Sequence, residues 1–251
     1  MEERIDIINL DDSYRQQDFY RKFDYRLIDL ADWRGVNYLC DYGKLNRLER
    51  RLGGLGPASL KYYGSGNFHY LSLIFLKEIR EDFSLVLFDQ HVEMLALNYG
   101  GMVSCGSWLL DLLRANDHLK QVYLLGVDRD YARLVPRAYL DSGRVRIITG
   151  QDLGAQGRVD LSGARGRIYI SIDKDVFSRE AARTNWDHGS LTLRGFKEVL
   201  GQLEGSCLLG ADLCGEERYP SRDLMNPLVD LEIQMNNRLN YEIIKEIFRK
   251  F

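Results

Sequence analysis

The chain lacks the features that mark several protein classes. It has no CxxC pair, and its four cysteines, Cys40, Cys105, Cys207 and Cys214, match no thiolate zinc spacing. They read as buried free thiols in a reducing cytoplasm, with Cys105 and Cys214 also candidates to touch a pocket. No apolar run approaches the roughly 20 residues that span a bilayer. The segment from Met1 to Asp12 carries Glu2, Glu3, Arg4 and three aspartates, without the apolar stretch of a targeting peptide. Positive charge is not in excess either. The 34 Lys and Arg against 37 Asp and Glu leave a net charge of -3, which gives no electrostatic reason to bind nucleic acid. Internal repeats, low-complexity tracts and linker-like stretches are missing as well. What remains is an ordinary globular composition, 45% hydrophobic and 28% charged, over 251 residues. That is enough for one large domain over residues 1–251 with a substantial core, and the expected location is the cytoplasm.

Strand-like and helix-like segments alternate along almost the whole chain. Ile5 to Leu10, Tyr25 to Leu30, Lys61 to Tyr63, Ser84 to Phe88, Gln121 to Val127, Val145 to Thr149, Arg167 to Ile172 and Cys207 to Ala211 read as strands. Helices are expected over Tyr38 to Leu52, Phe68 to Arg80, Trp108 to Ala115, Tyr131 to Leu140, Leu193 to Leu203 behind a Thr192 cap, and Asn236 to Phe251. Gln151 to Gly166 reads as a glycine-rich loop. This alternation predicts a three-layer α/β/α fold around a mostly parallel sheet.

Two apolar runs end in acidic motifs. Ser84 to Phe88 leads into Asp89-Gln90-His91-Val92-Glu93, and Arg167 to Ile172 into Asp173-Lys174-Asp175. In extended backbone Asp89, His91 and Glu93 project together, as do Asp173 and Asp175. Both motifs sit at the carboxyl ends of predicted strands, where open α/β sheets place their ligands. Four carboxylates gathered there carry a charge of -4 and would repel one another, whereas two divalent cations would balance them. The cluster reads as a dinuclear metal site. Taken singly, each residue has a plainer use: an Asp at a strand end caps a turn, and a His beside an apolar strand is a satisfied core residue.

Together with Gly64-Ser65-Gly66-Asn67-Phe68-His69, these motifs resemble the metal-binding pattern of the arginase, or ureohydrolase, superfamily: a glycine-rich segment ending in His, then D-x-H-x-D, then S-x-D-x-D. The resemblance spans about Gly64 to Glu217. It implies the arginase/deacetylase-like fold and two ions. His69, Asp89, Glu93 and Asp173 would hold one, and Asp89, His91, Asp173 and Asp175 the other, with Asp89 and Asp173 bridging. Carboxylate and imidazole donors without thiolate suit manganese, with zinc or iron as alternatives. Two ions roughly 3.5–4 Å apart can share a water and lower its pKa, giving a bridging hydroxide able to attack a guanidinium or amidine carbon. The implied activity is hydrolysis of a linear C–N bond in a small guanidino or amidino compound. Relatives are commonly oligomeric, so a homo-oligomer is an open expectation.

The pattern also departs from arginase. Glu93 replaces an Asp, Asn67 stands where an Asp precedes the histidine motif, and Val176-Phe177-Ser178-Arg179 follows the third motif in place of a D-P ending. The stretch that should carry a proton-shuttling His is Asn98-Tyr99-Gly100-Gly101-Met102 or Ser104-Cys105-Gly106-Ser107-Trp108, and neither contains one. The family's D-x-x-E becomes Asp212-Leu213-Cys214-Gly215, with Glu216 and Glu217 just beyond. His188, in Thr184-Asn185-Trp186-Asp187-His188-Gly189, is the candidate replacement shuttle, or else part of a turn before the next helix. Asn185, Trp186 and Cys105 are candidates for lining the substrate pocket, and Glu216 or Glu217 for pairing with a cationic substrate group. A deacetylase-like amidohydrolase and a metal-binding pseudoenzyme are the alternatives. The former is weakened because His69-Tyr70 offers one His where deacetylases carry a pair.

Overall fold

A computed structural model describes residues 3–97, 100–154, 157 and 159–251. Asn98 and Tyr99, from one of the two stretches considered for a shuttle histidine, lie outside the described residues, as do Met1 and Glu2. The strands are β1 (Arg4–Asn9), β2 (Asp24–Asp29), β3 (Leu39–Asp41), β4 (Leu60–Tyr62), β5 (Phe83–Phe88), β6 (Met102–Ser104), β7 (Leu119–Val127), β8 (Val145–Thr149), β9 (Arg167–Asp173) and β10 (Cys207–Cys214). Eight of them form one sheet in the order β2-β1-β4-β10-β9-β5-β7-β8, and every pairing in it is parallel. β3 and β6 make a separate antiparallel pair.

Period-two alternation divides the core between the two faces of this sheet. On β5, Leu85 and Leu87 join one cluster while Val86 and Phe88 join the other. On β9, Tyr169 falls in the first cluster and Ile168, Ile170 and Ile172 in the second. Helices Tyr42–Leu52, Ser72–Leu76 and Trp108–Ala115 cover the first face, and Leu193–Gln202 and Pro227–Lys250 the second. The expected three-layer α/β/α architecture is therefore present. No described helix is long and apolar enough to cross a membrane.

Several element boundaries differ from the sequence reading. The helix expected from Tyr38 starts at Tyr42, because the Asp41 carboxylate caps it by accepting from the Lys44 N–H at 2.9 Å. Residues 39–41 instead pair with β6. The expected Phe68 to Arg80 helix is a 3-10 segment, Gly66–Leu71, running into a short α-helix, Ser72–Leu76. Every residue of both is buried, so its apolar spacing reflects enclosure on all sides and not one helical face. Tyr131 to Leu140 is broken into Arg129–Ala132 and Arg137–Asp141 at Pro136, which lacks an N–H and disfavours helical backbone at Val135. The loop expected over Gln151 to Gly166 holds short helical pieces, Gly150–Leu153 and Ser162–Ala164. The last helix begins at Pro227, behind an Asn226 cap. Of the four thiols, Cys40 and Cys214 are buried, Cys105 is partly buried, and Cys207 is exposed, contrary to expectation.

Candidate metal centre and its surroundings

The loops that follow β4, β5, β9 and β10 converge at the carboxyl edge of the sheet, because those four strands are neighbours at its centre. The loop after β4 brings His69. The end of β5 brings Asp89, His91 and Glu93, and the end of β9 brings Asp173 and Asp175. His69 Nδ1 lies 3.1 Å from Asp89 Oδ2, 3.6 Å from Asp173 Oδ2 and 3.9 Å from Glu93 Oε2. His91 Nδ1 lies 2.8 Å from Asp175 Oδ2 and 3.5 Å from Asp89 Oδ1. Three donor groups result among the described residues: His69–Asp89–Glu93 and Asp89–His91–Asp175, which share Asp89, and His69–Asp173–Cys214.

Backbone geometry serves this convergence. Glu93 adopts a left-handed φ of 56°, uncommon for a residue with a side chain, and its carboxylate still faces His69. A Cβ on Gly66 would lie 2.6 Å from Asp173 Oδ2, so only glycine lets the loop pass this close. Backbone N–H groups fix the other carboxylate oxygens. Asp89 Oδ1 accepts from His91 N at 2.6 Å, Asp173 Oδ1 from Asp175 N at 3.1 Å, and Asp175 Oδ1 from Gln90 N at 3.0 Å.

Beneath the ligands lies a buried relay. Asp212 on β10 accepts hydrogen bonds from Ser171 Oγ (2.6 Å), Tyr63 OH (2.9 Å), Tyr169 OH (3.0 Å) and Ser72 Oγ (3.1 Å). Ser171 has one proton and donates it to Asp212, so at 3.0 Å it accepts from His69 Nε2–H. That arrangement commits Nε2–H to Ser171 and leaves Nδ1 facing the carboxylates, where it carries a proton in the metal-free chain and could turn a lone pair to a bound ion. Ser171 opens the S-x-D-x-D stretch, and nothing local marks it as a partner of His69. Asp212 opens the stretch matching D-x-x-E, but nothing in that stretch points to a partner in Ser171.

The electrostatics are those of a site built for cations. Among the described residues, His69 Nδ1, Asp89 Oδ2, Glu93 Oε2 and Asp175 Oδ2 are buried atoms without a hydrogen-bond partner. Burial works against a charged His69, yet the Asp89, Glu93 and Asp173 carboxylates prevail and push its pKa up to about 10. His91 is likewise opposed by burial but driven to about 12 by Asp175 and Asp89. Burial and the repulsion of Asp173 and Asp89 raise Asp175 to about 8. Burial, followed by the Asp89 charge, also raises Glu93 and Asp173. Burial alone would raise Asp89 too, but the two imidazoles hold it below the usual carboxylate range. Protons thus do part of the work that cations would do. The donor set fits divalent ions.

A cavity of about 200 Å³ opens onto this centre, lined by His91, Glu93, Asp173 and Asp175 on the donor side and by Val92, Leu95, Cys105, Tyr131, Leu134 and Trp186 elsewhere. Trp186 and Tyr131 flank the His91 ring at 5.3 and 4.8 Å between centroids. Asn67 holds this wall. Its Oδ1 accepts from Trp186 Nε1 and Asn185 Nδ2, both at 3.0 Å. Asn185 itself lines a second cavity of about 620 Å³ together with Glu217. His188 lies in neither, but in a third, about 260 Å³, with Gln90, Gly126 and Asp128. Burial and the nearby Arg179 charge lower its pKa. Glu216 is fully buried. It is paired with Lys174 and accepts from Asn236 Nδ2 (2.6 Å), Gln17 Nε2 (2.8 Å) and Asn240 Nδ2 (3.1 Å). The structure therefore gathers the six expected ligands with Cys105 and Trp186, sets Asn185 behind Trp186, and places His188, Glu216 and Glu217 away from the cavity.

Solved structures with this architecture span nearly the whole chain. Proclavaminate amidinohydrolase from Streptomyces clavuligerus superposes with a TM-score of 0.67 at 16% identity, covering 97% of this chain and 92% of that one. Formiminoglutamase from Trypanosoma cruzi with Mn2+ gives 0.66 at 11% identity, covering 98% and 93%. Arginase from Bacillus cereus gives 0.61 at 12% identity, covering 97% and 96%. The chain has the arginase/ureohydrolase fold. In sequence, an uncharacterized protein of Thermotoga maritima is 27% identical over 216 residues, 85% of this chain and 77% of that protein. No family model matches the chain. On this ureohydrolase fold, the donor groups stand at the carboxyl ends of the central strands, where α/β sheets place their ligands.

Proposed function

We propose that this protein is a dinuclear metal-dependent hydrolase of a linear C–N bond in a small amidino or guanidino compound. The observation that carries the reading is the pair of buried donor groups sharing Asp89, with four donor atoms that have no hydrogen-bond partner among the described residues. In this reading His69, Asp89, Glu93 and Asp173 hold one divalent ion, and Asp89, His91, Asp173 and Asp175 the other. The names of the structural neighbours, amidinohydrolase, formiminoglutamase and arginase, support the same bond class. When bound, two such ions activate water for attack on an sp² carbon and stabilise the charge that develops there.

The chain's own residues do the rest. Ser171 and Asp212 hold the His69 ring so that Nδ1 faces the donors. Trp186, fixed by Asn67, and Tyr131 wall the cavity and limit water. Apart from the donors, the described residues lining this cavity include no charged side chain. Beyond the reacting amidine or guanidine group, the part of the substrate held there is accordingly small and without a further charge, which disfavours a substrate carrying a free ammonium into the cavity.

Metal content after reconstitution should approach two ions per chain and fall sharply in Asp173→Asn. Arginine, agmatine, guanidino acids, formiminoglutamate and neutral amidines should then be assayed for urea, ammonia or amine release. A folded chain that takes up no divalent ion removes the hydrolase reading. Two bound ions without turnover across the panel would favour a metal-binding protein that has lost catalysis.

A further inference from the structure

β10 ends at Cys214, just before the glycine that stands where the D-x-x-E pattern has its glutamate. Cys214 is fully buried and lies directly across the β9–β10 ladder from Asp173. On β10 it shares a face with Asp212, so the thiol sits beside the relay and not in the core beneath the opposite face. Its Sγ donates to Asp173 Oδ2 at 3.3 Å. A ring nitrogen of His69, an Asp173 oxygen and Cys214 Sγ all lie within 4.8 Å of one another. His69 Nδ1, 3.6 Å from that same Asp173 oxygen, is buried and has no hydrogen-bond partner among the described residues. Two glycines let the chain pass close to the Asp173 carboxylate on both of its oxygens. A Cβ on Gly66 would fall 2.6 Å from Asp173 Oδ2, and one on Gly215, whose φ is +88°, would fall 2.2 Å from Asp173 Oδ1. A buried cysteine ordinarily packs as a small hydrophobe, and Cys214 does join the core cluster on its face, but its thiol also faces the Asp173 carboxylate beside the His69 ring.

We propose that Cys214 is a thiolate donor to the ion held by His69 and Asp173. The inference rests on the two-metal reading and refines it, because it makes the two ions unequal. The Asp89–His91–Asp175 group contains only oxygen and nitrogen donors and suits a manganese-class ion. The His69–Asp173–Cys214 side adds a soft sulfur donor, which shifts preference toward zinc, cobalt or iron. Cys214 would hold the ion as a thiolate, its S–H proton being given up to solvent base as the ion takes the proton's place on sulfur.

Cobalt(II) reads this directly. Metal-free full-length chain loaded with cobalt should show thiolate-to-cobalt charge-transfer absorption in the near ultraviolet. The band should vanish in Cys214→Ser, with the weaker visible cobalt bands retained, and survive in Cys105→Ser. In Cys214→Ser the preference for zinc over manganese should fall at least tenfold. A wild-type chain holding two cobalt ions without the band overturns the proposal and leaves the two-metal reading standing. Persistence of the band in Cys214→Ser overturns it as well, and failure to bind cobalt at all overturns both. Should Cys214→Ser not fold, X-ray absorption of the zinc-loaded wild type decides. One sulfur neighbour at roughly 2.3 Å is expected, and a shell of nitrogen and oxygen alone refutes the assignment.

Discussion

Replacing Ser171 with alanine tests whether the relay from Asp212 to His69 sets up the metal centre. The hydroxyl is fully buried and makes three polar contacts, 2.6 Å to Asp212, 3.0 Å to His69 Nε2 and a longer one of 3.4 Å to Ser72 Oγ. Asp212 would keep its three other hydroxyl donors, Tyr63, Tyr169 and Ser72, so the carboxylate stays satisfied. The His69 N–H would not, and a buried unpaired donor costs about 1–3 kcal/mol. For a chain of this size that lowers the melting temperature by roughly 2–4 °C per kcal/mol. Losing an outer partner of a metal-ligating histidine weakens metal binding about 10–100-fold, equivalent to about 1.4–2.8 kcal/mol. Urea denaturation of chelator-treated protein reads the first effect, and competition against a chromophoric chelator the second. Nitrogen NMR of the zinc-loaded chain reports the tautomer, expected as Nε2–H in the wild type, whereas the metal-free ring, raised to about 10, should carry both protons. Ser171→Thr, which keeps a hydroxyl, should recover part of the metal affinity. Reduced stability with unchanged metal affinity in Ser171→Ala would refute the reasoning, since the serine would then be only a packing residue.

Other outcomes follow from the same geometry. In metal-free protein, His69 is raised from 6.5 to about 10 and Asp175 from 3.8 to about 8. The folded chain therefore binds more protons than the unfolded one, and stability must fall as pH rises. The contribution of Asp175 is present below about pH 4 and lost through pH 8, and that of His69 is present below about 6.5 and lost through pH 10. Melting temperatures of chelated protein should thus drop from pH 6 to pH 9, and a flat or rising profile would contradict the site's proton load. Glu216→Ala leaves Lys174 buried without its partner and should destabilise by about 3–5 kcal/mol, whereas Glu217→Ala should stay within about 0.5 kcal/mol. Equal effects in denaturant titrations would overturn that distinction. Gly66→Ala forces a methyl against Asp173 and the Trp186 ring, costing about 1–3 kcal/mol by overpacking. Metal titration should show weaker binding, and wild-type affinity would mean that the loop yields at no expense to the donors.

The strands were legible because buried parallel strands are continuous apolar runs. The donors after β5 and β9 were legible because extended backbone puts alternate residues on one side. His69 was legible only beside those two motifs, as the third part of a pattern. The helices were read less well where enclosure on all sides, as over Gly66–Leu76, removes the amphipathic signature. Trp186 and Asn185 follow Asp173 closely in the chain, which made them reasonable lining candidates. His188 and Glu216 sit nearly as close to their motifs, yet one turns into another cavity and the other is consumed by Lys174, Gln17, Asn236 and Asn240.

By itself, the sequence determined the parallel α/β plan and the identities of the residues offered at each strand end, since both follow from local periodicity. Only the tertiary structure decided which of those residues meet. The order β4-β10-β9-β5 brings Cys214 beside Asp173, Asp212 beside Ser171, and His69 over both, although these residues are far apart in the chain. Hydrogen-bonded neighbours in a parallel sheet are set by crossovers packing on its faces, and no local pattern encodes that order. The chemistry of the ligands was therefore written in the motifs, and their support, their sulfur neighbour and the shape of the cavity came from the strand order.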